Sequence, residues 1–315
     1  MPTLYLSHPD CLKHDTGYGH PERPDRLRAI EKVLGADARF AALERVEAPR
    51  VEESIIERVH SRAYIDAIRD AESKTEGSEH AYLDADTPLS HGSLEAGLRS
   101  CGAAIEAVNR VMTGKSPNAF CATRPPGHHA EADRPMGFCL FSNAAIAAKH
   151  ARAVHGAERV AVVDFDVHHG NGTQDIFWND PSLLYCSTHQ YPFYPGTGAL
   201  KETGAHGNII NAPLSEGADG RVIREAFDSR ILPALRNFGF DLLIISAGFD
   251  AHKDDPLGGL RLIEDDFAWL THKLVDMAVS RAGGRVVSLL EGGYDLRGLA
   301  YSTAAHLGVL MDAAS

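Results

Sequence analysis

Val160-Ala-Val-Val-Asp164-Phe-Asp166-Val-His168-His169-Gly170-Asn171-Gly172-Thr173 is the stretch whose reading decides the fold. Its apolar, β-branched start predicts a strand buried on both faces. Its end carries Asp164, Asp166 and His168 at alternate positions. Side chains of a strand alternate faces. If the extended backbone continues to residue 168, these three point the same way. Two carboxylates and an imidazole gathered without water are stable only around a cation. Gly170 and Gly172 then permit a sharp turn. The stretch predicts a metal site at the carboxyl edge of a parallel sheet.

Working outward, strands and helices alternate. Strand patterns cover Leu4–His8, Asn118–Thr123, Leu183–Thr188, Asn208–Pro213, Phe240–Asp250 and Arg285–Leu290. Helical patterns follow Pro24, with Leu27, Ile30 and Val33 on one face, and cover Val51–His60, Leu94–Met112 and Asn143–His155. Others cover Gly172–Trp178, Arg221–Phe238 with a kink at Pro233, Asp265–Ala282 and Leu299–Met311. Residues 72–92 are polar and turn-rich and read as a surface loop. The alternation implies βαβ units and a parallel sheet covered on both faces. No repeat or linker divides the chain, so one domain over residues 1–315 is expected.

Open α/β sheets bind ligands beyond the carboxyl ends of their strands. Here those ends offer His128-His129, Asp166 and His168, Ser187, Asp250, and Glu291-Gly-Gly-Tyr294. Asp166, His168 and Asp250 make three ligands with an open fourth position, the layout of a catalytic zinc site. The oxygen-rich set also suits Fe(II), Co(II) or Mn(II). The tandem His128 and His129 suit general base and general acid work near neutral pH. Gly292 and Gly293 allow a close backbone approach that aims the Tyr294 phenol at a developing oxyanion. Gly137-Phe138 and Tyr191-Pro-Phe193-Tyr194-Pro195 place aromatics on loops, either as core caps or as walls of a narrow apolar channel.

Bulk properties narrow the partners. The chain has 315 residues, 44% of them hydrophobic, and a formal charge of -12. That disfavours nucleic acid and anionic membranes as partners. The five cysteines are scattered without CxxC spacing, which fits a reducing compartment. No signal peptide and no 18-residue apolar run is read. A cytoplasmic protein is expected, with homo-oligomerisation left open.

The chain resembles the zinc-dependent histone deacetylase family, within the arginase/deacetylase fold, from about His20 to Tyr294. The shared motifs are Arg124-Pro-Pro-Gly-His-His-Ala130, Gly137-Phe138, Asp164-Phe-Asp-Val-His-His-Gly-Asn-Gly-Thr173, Pro195-Gly-Thr-Gly198, Gly248-Phe-Asp250, Asp255-Pro-Leu-Gly-Gly259 and Glu291-Gly-Gly-Tyr294. They look like the class II branch and its bacterial deacetylase-like amidohydrolases. The resemblance implies a three-layer α/β/α fold around a parallel sheet of about eight strands. It implies zinc on Asp166, His168 and Asp250, with His128 and His129 as catalytic histidines backed by Asp164 and Asn171. It implies Tyr294 polarising the amide carbonyl, and Gly137, Phe138 and Tyr194 along an acyl-lysine tunnel with Leu257 at its rim. It further implies a structural potassium ion on the backbone oxygens of Asp164, Asp166 and His168 and the Ser187 hydroxyl. Arg26 matches an arginine near an internal acetate pocket, and the loop around Glu79 could grip a substrate backbone. The implied substrate is an acetylated lysine or an acetylated small amine, and hydroxamates are expected to inhibit.

Three departures from the family pattern carry consequences. Asn171 stands where class I members have aspartate, so His129 should be harder to protonate. Tyr194 replaces a common phenylalanine. Leu257 puts no acid at the rim, which disfavours polyamine selectivity. Arginases need a carboxylate two residues after each of two ligands, and those places are Gly170 and His252. A mononuclear amidohydrolase is therefore expected. The rivals are an acetylpolyamine amidohydrolase and, from another class, a non-catalytic acyl-lysine binder.

Overall fold

The computed structural model describes residues 1–75 and 80–314. Its strands are β1 (Leu4–Ser7), β2 (Glu44–Glu47), β3 (Ala81–Asp84), β4 (Thr87–Leu89), β5 (Asn118–Cys121), β6 (Val160–Asp164), β7 (Leu183–Gln190), β8 (Ile209–Leu214), β9 (Leu242–Ala247) and β10 (Val286–Leu290). The helices are α1 (Asp25–Ala36), α2 (Glu53–Ile56), α3 (Arg62–Ser73), α4 (Ser93–Met112), α5 (Asn143–His155), α6 (Asn171–Phe177), α7 (Gly220–Ala226), α8 (Leu232–Phe238), α9 (Glu264–Ala282) and α10 (Leu296–Ala313).

Eight strands form one sheet in the order β2-β1-β5-β10-β9-β6-β7-β8, and every neighbouring pair is parallel. The chain builds β1, β2 and β5 on one side, crosses to β6, β7 and β8, and then fills the gap with β9 and β10. That late filling brings Asp250, at the end of β9, beside the end of β6.

Strand β6 shows why the sheet is buried. Val160 and Val162 join one hydrophobic cluster, with alanines of α4 and α5. Ala161 and Val163 join the other, with Leu27 and Ile30 of α1, Phe267 and Leu270 of α9, and Leu307 of α10. Each fully buried valine contributes roughly 1.5–3 kcal/mol against exposure.

Several sequence readings change. The extended backbone stops at Asp164, and residues 166–168 form bends, so the strand's alternation does not by itself aim His168. Strand β2, Glu44-Arg-Val-Glu47, was not predicted; it is an edge strand with alternating half-exposed residues and no apolar run to mark it. The 72–92 segment holds the antiparallel hairpin β3–β4 rather than a plain loop. The helix expected over Val51–His60 shrinks to α2, and α3 follows it. The kink expected at Pro233 is a π-helical turn over Phe227–Ile231 that separates α7 from α8. Proline lacks the N–H that an α-helix would pair four residues back, and the wider turn absorbs that loss.

Beneath the active face lies a fully buried ionic knot. Glu22 accepts from Arg26 at 3.0 Å and from both Nε and the terminal nitrogen of Arg124. Arg26 also donates to the carbonyls of Gly293 (2.7 Å) and Glu291, so it clamps the turn that carries Tyr294. Each of its three nitrogens thus donates to the protein, which gives Arg26 a clamping role. Burial alone would raise the Glu22 carboxyl, but Arg124 and Arg26 overcome it and hold it at about 2. Glu22→Gln should therefore destabilise the fold by about 3 kcal/mol or more, because it leaves buried guanidiniums short of charge. The lowered pKa makes this stability complete above the unfolded carboxylate value of about 4.3 and removes it as pH falls toward 2. An unshifted urea midpoint for the variant at pH 7 would disprove the role.

Candidate active site

Asp166, His168 and Asp250 converge within 4.8 Å of one another, all buried. His168 Nδ1 lies 3.1 Å from Asp166 Oδ1 and 3.3 Å from Asp250 Oδ2. The second oxygens are anchored by backbone: Asp166 Oδ2 accepts from Gly292 N at 2.8 Å, and Asp250 Oδ1 from Val167 N at 2.9 Å. Asp250 Oδ2 is fully buried and has no hydrogen-bond partner. Two glycines make this approach possible. A Cβ on Gly248 would fall 2.0 Å from Asp166 Oδ2, and one on Gly292 would fall 2.0 Å from Asp250 Oδ2.

The donor set fits a divalent cation. Burial, and then the neighbouring Asp166, push the Asp250 carboxyl up to about 7. Burial opposes the charge of His168, yet its bonds to Asp166 and Asp250 lift the imidazole to about 10. Carboxylates and an imidazole crowded in this way would be balanced by a divalent ion in place of the protons they otherwise favour.

The tandem histidines diverge in environment. His128 Nδ1 meets Asp164 Oδ2 at 3.0 Å. The same Asp164 oxygen accepts from the Tyr185 hydroxyl at 3.0 Å. Burial opposes a charge on His128, but Asp166 and Asp164 outweigh it and raise it to about 10. His129 Nδ1 meets Asn171 Oδ1 at 2.8 Å. Burial, then His128 and His168, lower His129 well below the ordinary imidazole value. Desolvation is the largest cause, and the Asn171 bond acts the other way; the expected difference from an aspartate version is a separate comparison.

Three positioning groups were not found in the sequence. Glu131 accepts from the Asn171 amide at 2.7 Å, so a carboxylate stands one residue further back than in an aspartate version. Glu291 accepts from Gly127 N at 2.7 Å and His128 N at 3.1 Å, holding the histidine loop. Asp255 Oδ2 accepts from Tyr294 N at 2.6 Å while its Oδ1 accepts from Leu257 N at 2.9 Å, tying tyrosine turn and rim together. Glu291 and Asp255 stand in quoted motifs, but a carboxylate aimed at backbone N–H groups leaves no pattern, and Glu131 meets Asn171 only in the fold.

Above the cluster opens a pocket of about 550 Å³, lined among others by Phe138, Phe193, Tyr194, Leu257 and Tyr294, with His129 and His168 at its base. Phe138 is the one non-glycine described with a left-handed φ, +68°. Such a conformation in a bulky residue is strained and is retained where its surroundings enforce it. Asp86 and Thr87 do so by accepting from Gly137 N and Phe138 N at 3.2 Å each. Phe138 then meets Tyr294 edge-on at 5.9 Å. Tyr194 stands edge-on to His129 at 5.2 Å, and Phe193 stacks on His168 at 5.5 Å. The loop aromatics therefore line a channel rather than cap the core.

Comparison with known proteins is decisive at this point: the family model described as the histone deacetylase domain matches residues 20–310. The chain belongs to the histone deacetylase family. The family's deacetylases and amidohydrolases are hydrolases acting on amide bonds. The chain is 39% identical to a histone deacetylase-like amidohydrolase of Pseudomonas aeruginosa over 88% of its own length and 73% of that protein. It is 42% identical to an uncharacterized protein of Synechocystis sp., over 96% of this chain and 97% of that one. It is 39% identical to histone deacetylase 15 of Arabidopsis thaliana, of which it spans 53% and which matches 93% of this chain. The solved HDA15 HD domain superposes with a TM-score of 0.93 at 37% identity, covering 99% of this chain and 89% of that one. The α/β fold is thus that of histone deacetylases.

Other expected residues have these places. Ser187 pairs in register with Asp164, and its hydroxyl meets His189 Nδ1 at 2.8 Å. Gly170 has no room for the arginase carboxylate, since a Cβ there would fall 2.5 Å from the Tyr185 hydroxyl. Glu79 lies outside the described residues. All five cysteines are buried and unpaired, and among the described residues no helix is long and apolar enough to cross a membrane.

Proposed function

We propose that this histone deacetylase family member is a zinc-dependent amidohydrolase that removes an acetyl or short acyl group from lysine side chains or related amines. The observation that carries this is the buried Asp166, His168 and Asp250 triad, with Asp250 Oδ2 in contact with His168 and making no hydrogen bond, beneath an aromatic channel. A divalent ion held by the three residues supplies Lewis acidity toward an amide carbonyl and an attacking water; zinc is the first choice, with Fe2+ or Co2+ compatible with the same ligands.

The chain's own groups then divide the work. Asn171 commits its amide N–H to Glu131, so its carbonyl oxygen accepts a hydrogen bond from His129 Nδ1–H. That leaves Nε2 of His129 with a lone pair, and the lowered pKa keeps it ready to accept a proton from water. His128, paired with Asp164 at 3.0 Å, is the group that donates to the leaving amine. A pair of titratable groups driven apart in this way is the usual sign of a divided acid and base. The Tyr294 hydroxyl donates to the developing oxyanion; burial raises its pKa well above 10, so it stays protonated. Products are acetate and a free amine. Backbone oxygens of Asp164, Asp166 and His168 with the Ser187 hydroxyl are proposed to hold a potassium ion beneath. Five thiols kept unpaired support a cytoplasmic, reducing setting.

The test is acetate release from an acetyl-lysine peptide after chelation and metal add-back, with a hydroxamate as inhibitor. Binding of the peptide without acetate release would instead support an acyl-lysine binder.

Asn171→Asp probes the base directly. A carboxylate would stabilise protonated His129 and raise its pKa, so the acidic limb of kcat/KM should move to higher pH by about one unit or more. Glu131, 2.7 Å from the exchanged atom, would repel the new charge, so the shift should be cleanest in Asn171→Asp with Glu131→Gln. An unmoved limb in both variants removes residue 171 from the mechanism.

A further inference from the structure

Among the described residues, the lining of the channel includes two carboxylates, Asp86 and Glu216, and no lysine or arginine. They come from separate parts of the chain. Asp86 sits in the β3–β4 hairpin and is already engaged by Thr87 Oγ1 at 3.0 Å and Gly137 N at 3.2 Å. Glu216 lies in the turn after β8. Gly217 N bonds the Gly259 carbonyl at 2.8 Å, which draws that turn against the Leu257–Gly259 rim. A Cβ on Gly259 would fall 2.8 Å from Glu216 Cγ, so a bare glycine makes room for the glutamate stem. The Glu216 side chain is exposed and, among the described residues, takes part in no ion pair or hydrogen bond.

The walls between mouth and base are Phe138, Phe193, Tyr194 and Leu257. An unbranched aliphatic stem passes such walls, with its acyl amide beside His129 and His168. Whatever the substrate carries beyond that stem then arrives at Glu216. A free carboxylate on a low-dielectric rim, in a chain of net charge -12, attracts a cation and repels an anion. The expectation drawn from Leu257 considered one rim loop; Glu216 supplies the acid from another.

We infer that Glu216 reads a positive charge on the substrate, so that acyl amines bearing a second, cationic nitrogen just beyond the scissile stem are preferred over neutral and anionic ones. This rests on the amidohydrolase reading above. The cation could be the ammonium of an acetylated diamine or a flanking arginine of an acetylated peptide; the recognising chemistry is the same.

The experiment uses the metal-reconstituted full chain. One arm compares acetyl-lysine peptides flanked by Arg, Ala or Glu. The other compares N-acetylputrescine with N-butylacetamide, its uncharged counterpart. The wild type should favour the cationic member by about two- to fivefold in kcat/KM, the scale of an exposed ion pair. The preference should fade in 0.5 M salt. Glu216→Gln should abolish it, and Glu216→Lys should reverse it. The arm that shows the larger change identifies the source of the cation. An order preserved in both variants overturns the inference. Turnover of no substrate would overturn the amidohydrolase reading alone. Calorimetric binding of the Arg- and Glu-flanked peptides to wild type and Glu216→Lys would then still decide the charge preference.

Discussion

Asp250→Ala is expected to abolish zinc binding and deacetylation together, with activity falling by a factor of about a thousand or more, since the ion contributes several kcal/mol to such reactions. Two further readouts separate a lost ligand from a broken fold. Zinc at a thousandfold excess over its Kd should stabilise the wild type by about 4 kcal/mol, and this increment should vanish in the variant. In the metal-free protein the variant should also lack one pH dependence of stability that the wild type shows. Burial and Asp166 raise the Asp250 carboxyl to about 7. A carboxyl raised on folding releases its proton more readily when unfolded, so the metal-free wild type loses stability as pH climbs from about 4 toward 7. Alanine removes that dependence. Retained zinc-dependent stabilisation in Asp250→Ala would sink the ligand assignment.

Tyr294→Phe should lower kcat by about 10²–10³-fold, the loss typical of one oxyanion donor, with KM and metal content near wild type. The ring's supports do not involve the hydroxyl. Arg26 stands 5.0 Å from the ring centroid, Phe138 meets its face, and Asp255 grips the backbone nitrogen. Phenylalanine keeps all three, so the change reports the donor and little else. A kcat unchanged within about threefold would exclude Tyr294 from the oxyanion site, because even a weak neutral hydrogen bond is worth about that much.

The strand ends were legible because they obey a local rule. Buried β-branched runs close on polar residues, as β6 does at Asp164 and β10 at Glu291. The same rule overran at Phe240–Asp250, where the strand stops at Ala247 and Gly248 begins the turn. It failed at β2, where an edge strand needs no apolar run, and in the β3–β4 hairpin, whose residues are as polar as a loop. In the site, Asp166, His168, Asp250, His128, His129 and Tyr294 were named from residue type and position. Glu291 and Asp255 were quoted in motifs without a role, and Glu131, Asp86 and Glu216 were not singled out, because the place of each is set by parts of the chain remote in sequence.

By itself the sequence determined the chemistry available at the sheet's carboxyl edge and the parallel, doubly covered architecture, since alternation and residue type are local properties of the chain. Only the tertiary structure decided who meets whom. The late insertion of β9 beside β6 sets Asp250 against His168. The bends after Asp164 turn that residue to His128 and leave Asp166 beside His168 and Asp250. The turn after β8 lands Glu216 on a rim that Leu257 alone would have left uncharged. These juxtapositions depend on strand order and crossover, and no period in the sequence encodes them.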